Sequence, residues 1–412
     1  MRIVYIHQYF RTPAMSGGTR SYEFARRLVQ RGHSVDMITS RPEPPAGAAR
    51  SWEVTGEDGV RVHWCTVPYA NEMGFWARLA AFARFAHKAA LRARSLPQDV
   101  VLASSTPLTV AVPGVISARS RRVNLVLEVR DVWPEVPIAM GVLRNPVTRW
   151  AALALEAWAY RNSTTVIALS PDMAVSVASR FPGTEVEVIP NASDTELFAG
   201  VTEADVALFR RRRTWLGDRP LIVYTGTLGV ANNVGYVVEL ARWLRPLDPE
   251  IRVLIVGTGK ERLALEYLAR RRGVLGSTLF FEPVVPKRDM PTLLGAADLA
   301  MSTFAPVEEL HANSANKVFD AFAAGCPVVI NHGGWLREVL EGSGAGLALP
   351  ATDPRAGAAL VAARIRDVDW VGNARFASRR LAAERFDRDR LFDQLERVLL
   401  RAGPTRVGER DC

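Results

Sequence analysis

The sequence predicts an α/β protein made of two doubly wound domains in tandem, each a parallel sheet covered by helices, with helices alone toward the C-terminus. Two observations carry that prediction. Short apolar runs alternate with helical patterns along most of the chain, which is how buried parallel strands and their crossover helices read. The alternation pauses once, between Thr195 and Pro220, and so falls into two series.

In the first series strands are expected near 2–6, 34–39, 61–67, 99–104, 124–130, 165–169 and 185–189. The stretch from Val100 to Ser117 is uncharged, but Ser104, Ser105, Thr106, Pro107, Thr109, Pro113 and Gly114 punctuate it too heavily for a membrane span. It reads as strand, loop and helix. Residues 195–220, with the run Arg210 to Arg213 expected on a solvated helix face, mark the passage between domains. The second series places strands near 221–225, 251–256, 278–283, 299–303, 327–330 and 346–349. From about Asp353 the pattern is helical only and ends in a polar tail, 407–412, expected to fray. The expected domains are 1–196 and 197–380, with 381–412 as a helix packing back toward the first domain, and a tail. Doubly wound sheets bind ligands beyond the carboxyl ends of their strands, so function is expected in a cleft that both domains face.

A chain of 412 residues, 48% hydrophobic and 23% charged, has material for two full cores. Cys65, Cys326 and Cys412 are too few and too dispersed for a disulfide framework or a zinc site, which predicts a reduced, cytoplasmic protein without a metal. Met1 to His7 reads as a strand, with no export leader expected. A net charge of +9 favours an anionic partner: a nucleotide sugar, a phospholipid surface or nucleic acid. The arginines are scattered and no nucleic-acid signature appears, so nucleic acid is the least supported.

The most informative segment is Asn316 to Ile330. Asn316, Lys317 and Asp320 share one helical arc and Val318, Phe319 and Phe322 the opposite one. Gly325 suits a left-handed stop, Pro327 prevents resumption, and Val328, Val329 and Ile330 supply a strand. A carboxylate and an amine at a helix start suit a nucleotide: the acid for a ribose, the lysine and free N–H groups for a diphosphate. A solvated Lys317–Asp320 pair reads equally well. Gly17-Gly18-Thr19-Arg20 opens a helix after the first strand, and Gly226-Thr227 and Gly257-Thr258-Gly259-Lys260 close two strands of the second domain. Such loops let backbone approach a phosphate, although any tight turn also uses them. The third glycine and ribose acid of a dinucleotide fingerprint are absent.

Glu128 to Glu135 puts acids, Arg130 and Trp133 at the carboxyl end of a central strand. Asp131 or Glu135 can orient or deprotonate a hydroxyl there and Trp133 can stack on a sugar or pack as core, or an Arg130–Asp131 pair simply closes the loop. Residues 74–95 contain no acid. Arg78, Arg84, Lys88 and Arg92 fall on one arc and Phe75, Trp76, Leu79 and Phe82 on the other, the pattern of a membrane-surface helix or of an ordinary amphipathic one. His7 and His311 stand out among dispersed histidines, though without ligand spacing.

Taken in order, these motifs resemble glycosyltransferase family 4, retaining enzymes of the two-domain, Rossmann-like GT-B fold. The resemblance adds Gly32-His33-Ser34-Val35, Ala168-Leu169-Ser170, Ile189 to Phe198 and Ala296-Ala297-Asp298-Leu299, and covers nearly the whole chain. Arg130-Asp131-Val132-Trp133-Pro134 with Glu135 resembles the N-acetyl-fucosamine transferases of O-antigen and capsule assembly. The resemblance implies transfer of an N-acetylated hexosamine or deoxyhexosamine from a nucleotide sugar, a UDP-sugar ahead of a GDP-sugar, to a lipid-linked saccharide at the inner membrane surface. A soluble acceptor, a degenerate nucleotide-sugar-binding protein and a sugar-nucleotide epimerase are the alternatives. It implies Lys317 and Asp131 as catalytic residues. Gly17, Gly18, Arg20, Gly226, Thr227, Gly257, Lys260, Asn316, Lys317 and Asp320 would bind the donor, Asp131, Trp133 and Glu135 the acceptor, with neither cofactor nor metal. Ala312 replaces the first of the family's two glutamates and Asp320 the second; Thr227 and Asn232 replace its diphosphate-clamping arginine and lysine.

Overall fold

The computed structural model describes residues 1–15, 17–43, 52–69 and 73–404, and for Phe75 the backbone alone. Ser16 of the first glycine loop and the 407–412 tail lie outside the described residues. The chain forms two compact units. Met1–Thr12, Thr19–Pro190 and Leu391–Cys412 make the first, and Pro13–Gly18 with Asn191–Arg390 the second. Apart from the short 13–18 segment, the changeovers thus fall at 190/191 and 390/391, where 196 and 380 were expected.

The first unit holds an eight-stranded sheet. Its strands are β1 (Arg2–Ile6), β2 (Ser34–Arg41), β3 (Trp52–Glu57), β4 (Val60–Thr66), β5 (Val100–Ser104), β6 (Asn124–Val129), β7 (Thr165–Ala168) and β8 (Glu185–Val188), in the order β3-β4-β2-β1-β5-β6-β7-β8. Only β3, missed by the sequence reading, runs antiparallel. As an edge strand with half-exposed residues and two glutamates, it lacks the apolar run that betrays a buried strand. Val4, Ile6, Val101, Ala103, Leu125 and Leu127 build the core on which the helices pack. The C-terminal helix, from Leu391 onward, belongs to this unit: Phe392 packs on Phe24, and Glu396 meets His33 at 2.9 Å.

The helix Phe75–Ser95 corrects the expected sorting of its faces. Ala81, Phe85, Ala89 and Ala93 are its buried stripe; Ala81 and Phe85 fall within the arc read as basic, and Ala89 and Ala93 lie beyond it on the apolar side. Lys88 donates to Thr66 O at 3.2 Å and Arg92 to the His63 ring at 3.1 Å, so both serve the sheet, while Trp76 and Leu79 stay exposed.

The second unit holds a six-stranded, wholly parallel sheet in the order β11-β10-β9-β12-β13-β14, formed by β9 (Leu221–Thr225), β10 (Arg252–Val256), β11 (Leu279–Glu282), β12 (Leu299–Ser302), β13 (Val328–Ile330) and β14 (Gly346–Ala348). The helix Asn316–Ala324 ends where Gly325 turns left-handed at φ 64°, as the sequence requires. Its apolar face buries Phe319 and Phe322 against Trp335 and Phe386, each ring contributing roughly 2–3 kcal/mol of burial. The arginine run is divided: Arg211 and Arg212 are exposed, as a solvated face requires, and the other two are not. Arg210 donates to the carbonyls of Gly217 (3.1 Å), Arg219 (2.9 Å) and Ala296 (2.6 Å), and Arg213 pairs with Glu282 at 2.7 Å. Among the described residues, no helix is long and apolar enough to cross a membrane.

Candidate functional site

In the second unit the site grows from two glycine turns in direct contact. Gly226 follows β9 at φ 134°, and its N–H donates to Val256 O at 3.0 Å; the N–H of Leu228 donates to Thr258 O at 2.9 Å. A Cβ on Gly257 would lie 1.9 Å from Gly226 O, and one on Gly259 would lie 2.2 Å from Leu228 O. Both glycines are therefore required by backbone touching backbone. A Cβ on Gly226 would lie 3.1 Å from the Nζ of Lys317, so the bare turn also leaves room for that ammonium.

Lys317 sits in the first turn of a helix that lacks a side-chain cap. Its Nζ is out of solvent with no hydrogen-bond partner and lies 3.9 Å from the Tyr224 ring centroid. Burial lowers its pKa to about 7. Among the described residues Lys317 has no counter-ion, and a buried cation beside uncapped helix N–H groups and a glycine turn has the chemistry to receive an anion. His332, just beyond β13, is a second buried group: its Nδ1 serves Gly333 O at 2.9 Å, and among the described residues its Nε2 has no partner. Burial first, then the nearby His311 and Lys317 charges, lowers its pKa to about 4.

Asp320 departs from the expected solvent-facing arc: it is 8% exposed and its Oδ1 accepts from Lys287 Nζ. Lys287 also lies 3.7 Å from Asp194, whose carboxylate takes Arg388 in a two-pronged pair. Burial raises the pKa of Asp320, opposed by Lys287. Asn316 is half-buried in the same first turn as Lys317, while Thr227 and Lys260 are exposed. Gly17, at φ 120°, and Gly18 belong to the short segment that groups with this unit.

Arg20 belongs to the first unit and is a correction to the donor-binding expectation. Only 1% exposed, its guanidinium donates to Glu128 at 2.8 Å, to Ile189 O at 2.9 Å and to Pro190 O, so each of its three nitrogens is engaged inside the first unit and the group is turned away from solvent. Burial would raise Glu128, yet Arg20 and Arg130 hold it below its ordinary value. At the carboxyl end of β6, Asp131 is exposed and accepts from Thr106 Oγ1 at 2.8 Å, and among the described residues no Arg130–Asp131 pair forms. Trp133 packs on the core, and Glu135 pairs with Arg180 at 3.2 Å. Sequence reasoning missed Lys287, Asp194, Arg388 and His332, because no local motif announces partners far apart in the chain.

Comparison with known proteins bears directly on this geometry. Residues 17–192 match the family described as a glycosyl transferase 4-like domain, and residues 219–367 that described as glycosyl transferases group 1. The putative colanic acid biosynthesis glycosyl transferase WcaI of Escherichia coli is 25% identical over 301 residues, 70% of this chain and 73% of that one. A GDP-mannose-dependent α-(1-6)-phosphatidylinositol monomannoside mannosyltransferase of Mycolicibacterium smegmatis is 26% identical over 259 residues, 62% of this chain and 64% of its own. Anabaena Alr3699/HepE, solved with UDP and glucose, superposes with a TM-score of 0.73 at 19% identity, over 97% of this chain and 100% of that one. The chain belongs to the GT-B glycosyltransferases, with a glycosyltransferase 4-like domain followed by a group 1 domain.

Proposed function

We propose that the chain is a retaining glycosyltransferase of polysaccharide biosynthesis, moving an N-acetylated hexosamine or deoxyhexosamine from a UDP-sugar to a lipid-linked saccharide. The observation that carries the donor half is Lys317, a buried ammonium without a partner beside the Gly226 turn. Expelling a nucleoside diphosphate builds charge on the departing phosphate, and a preorganised cation in a dry site is the strongest way to stabilise it. Lys317 supplies that charge, with the N–H groups at the start of its helix. The solved likeness in complex with UDP and glucose supports a uridine donor. Retention follows if the acceptor attacks from the leaving-group face, where a phosphate oxygen takes its proton and Asp131 positions the hydroxyl.

The lipid-linked acceptor rests on the surface of the first unit. The helices Phe75–Ser95, Ala111–Arg121 and Pro146–Arg161 pack as successive neighbours. Their single acid, Glu156, is buried against Arg180 at 2.7 Å. Trp76 and Trp150, each 71% exposed, stand on this acid-free ground with Leu79, Val147 and Leu153, which suits an anionic bilayer surface. The test is thermal stabilisation by UDP, GDP, ADP and dTDP, followed by flotation with anionic vesicles of wild type and a Trp76→Ser, Trp150→Ser double variant. UDP at one hundred times its dissociation constant should stabilise by about 2.7 kcal/mol. Stabilisation by none of the four would overturn the donor reading, and vesicle binding that survives the double substitution would overturn the lipid reading in favour of a soluble acceptor.

A further inference from the structure

The first unit carries a cluster of positive charge that the donor chemistry does not use. β1, β5 and β6 are neighbours in the sheet, so the residues just beyond their carboxyl ends, His7, Ser105 and Arg130, converge. His7 is 2% exposed. Its Nδ1 lies 3.2 Å from Ser104 O, and since a carbonyl can only accept, that nitrogen carries the proton. Its Nε2 is then left with a lone pair, which accepts from Arg130 Nη1 at 3.2 Å. Burial first, and then Arg130, hold the imidazole neutral, with its pKa lowered to about 3. His7 is therefore an aiming device: it fixes a guanidinium by one corner and leaves the remaining N–H groups free.

Glu128 is close enough for Arg130 to help stabilise its charge, but the neighbouring carboxylates bond to other groups. Glu128 gives Oε1 to Arg20 at 2.8 Å and Oε2 to Ser104 Oγ at 2.5 Å, and Asp131 is turned to Thr106. Arg11, half-buried, adds to the positive potential at His7. Among the described residues neither Arg11 nor Arg130 makes an ion pair, whereas Arg20, Arg61, Arg180, Arg213 and Arg388 each find a carboxylate. Next to His7, Gln8 is fully buried, and among the described residues neither of its amide atoms has a partner.

We infer that Arg130, aimed by His7 and reinforced by Arg11, forms an anion subsite for the acceptor, which must then bear a phosphate ester or a carboxylate near the hydroxyl it offers. A guanidinium fork matches either oxyanion in two-pronged fashion. The subsite deepens the proposed transferase reading and rests on it, because the acceptor is what the first unit would hold. Asp131, the next residue, would meet the acceptor hydroxyl while Arg130 holds its anionic group.

The test uses the full chain with UDP present in excess, so that the second unit is filled, and follows binding of three probes by NMR: glucose 1-phosphate, glucuronate and glucose. The subsite requires that one or both anions bind and glucose does not. Arg130→Gln should weaken that binding by about tenfold or more, with Arg130→Lys intermediate, as expected for loss of a charge-assisted pair. Which anion depends on Arg130 tells a phosphate-bearing acceptor from a carboxylate-bearing one. Glucose binding as well as the anions, no anion binding at millimolar concentration, or affinity unchanged in Arg130→Gln would each overturn the subsite. Stabilisation by UDP, measured on the same samples, reports separately on the donor reading and confirms that the variants are folded.

Discussion

Replacing Lys317 by methionine should make the protein more stable and less able to bind its donor, and the two effects share one origin. The ammonium is out of solvent without a partner, and its pKa falls from 10.5 in the unfolded chain to about 7. Between those values the unfolded chain holds the proton that the folded one has released, so stability rises with pH across the window from 7 to 10.5. Below pH 7 both states are charged and the full penalty applies, on the order of 5 kcal/mol before the favourable contact with the Tyr224 ring is set against it. Lys317→Met removes that penalty, so the gain should be greatest near pH 6 and fade toward pH 10. A bound diphosphate does the opposite to the wild type. By pairing with the ammonium it raises the pKa again, so binding must take up a proton wherever the free lysine is neutral. At pH 8 that is about 0.9 proton, at pH 6 about 0.1, and affinity should fall about tenfold per unit above pH 7. Calorimetry with UDP-glucose as the probe, in two buffers of different ionisation enthalpy at each pH, reads the proton count directly. Its diphosphate has no proton of its own to lose in this range. Undiminished binding of the probe by Lys317→Met, or proton uptake equal at both pH values, would refute the assignment of this lysine to the diphosphate.

Other outcomes follow from the same geometry. Lys287→Met leaves Asp320 buried without its cation and Asp194 short of one, and should cost about 3–5 kcal/mol of stability, read as a fall in the urea midpoint. Gly257→Ala drives a Cβ into the carbonyl of Gly226 and should abolish stabilisation by UDP, whereas Gly235→Ala, where a Cβ meets nothing within 4 Å, should leave both stability and UDP binding intact in the same thermal assay.

The two sheets were legible because parallel strands buried on both faces read as plain apolar runs, and the stop at Gly325 because a left-handed φ of 64° favours glycine. β3 was not, since an edge strand needs no such run. At the site, sequence order found the glycine turns and Lys317, because contact between neighbouring strand ends is built into the topology. It could not find which charges pair. Arg20 and Glu128 are 108 residues apart and Arg130 and His7 are 123 apart, so only the fold decides that one arginine is consumed as a strut and the other left free. The same holds for Asp320: its place on a polar arc was correct as angular position, yet Lys287, from the loop after β11, turns that arc into interior.

The two segments by which the chain enters and leaves the second unit are stitched together. Ser193 N–H donates to Phe386 O at 2.8 Å, Thr195 Oγ1 to Asp387 at 3.1 Å, and Arg388 clasps Asp194, while Ser193 Oγ holds Phe319 O in the helix that bears Lys317. Residues 191–390 thereby form a loop of chain closed at its own neck, an inserted cassette rather than a tail. Exchanging such a cassette between relatives, to change the sugar delivered, means cutting the backbone at two places that already touch, and the seam to preserve is a handful of hydrogen bonds at residues 192–195 and 386–388.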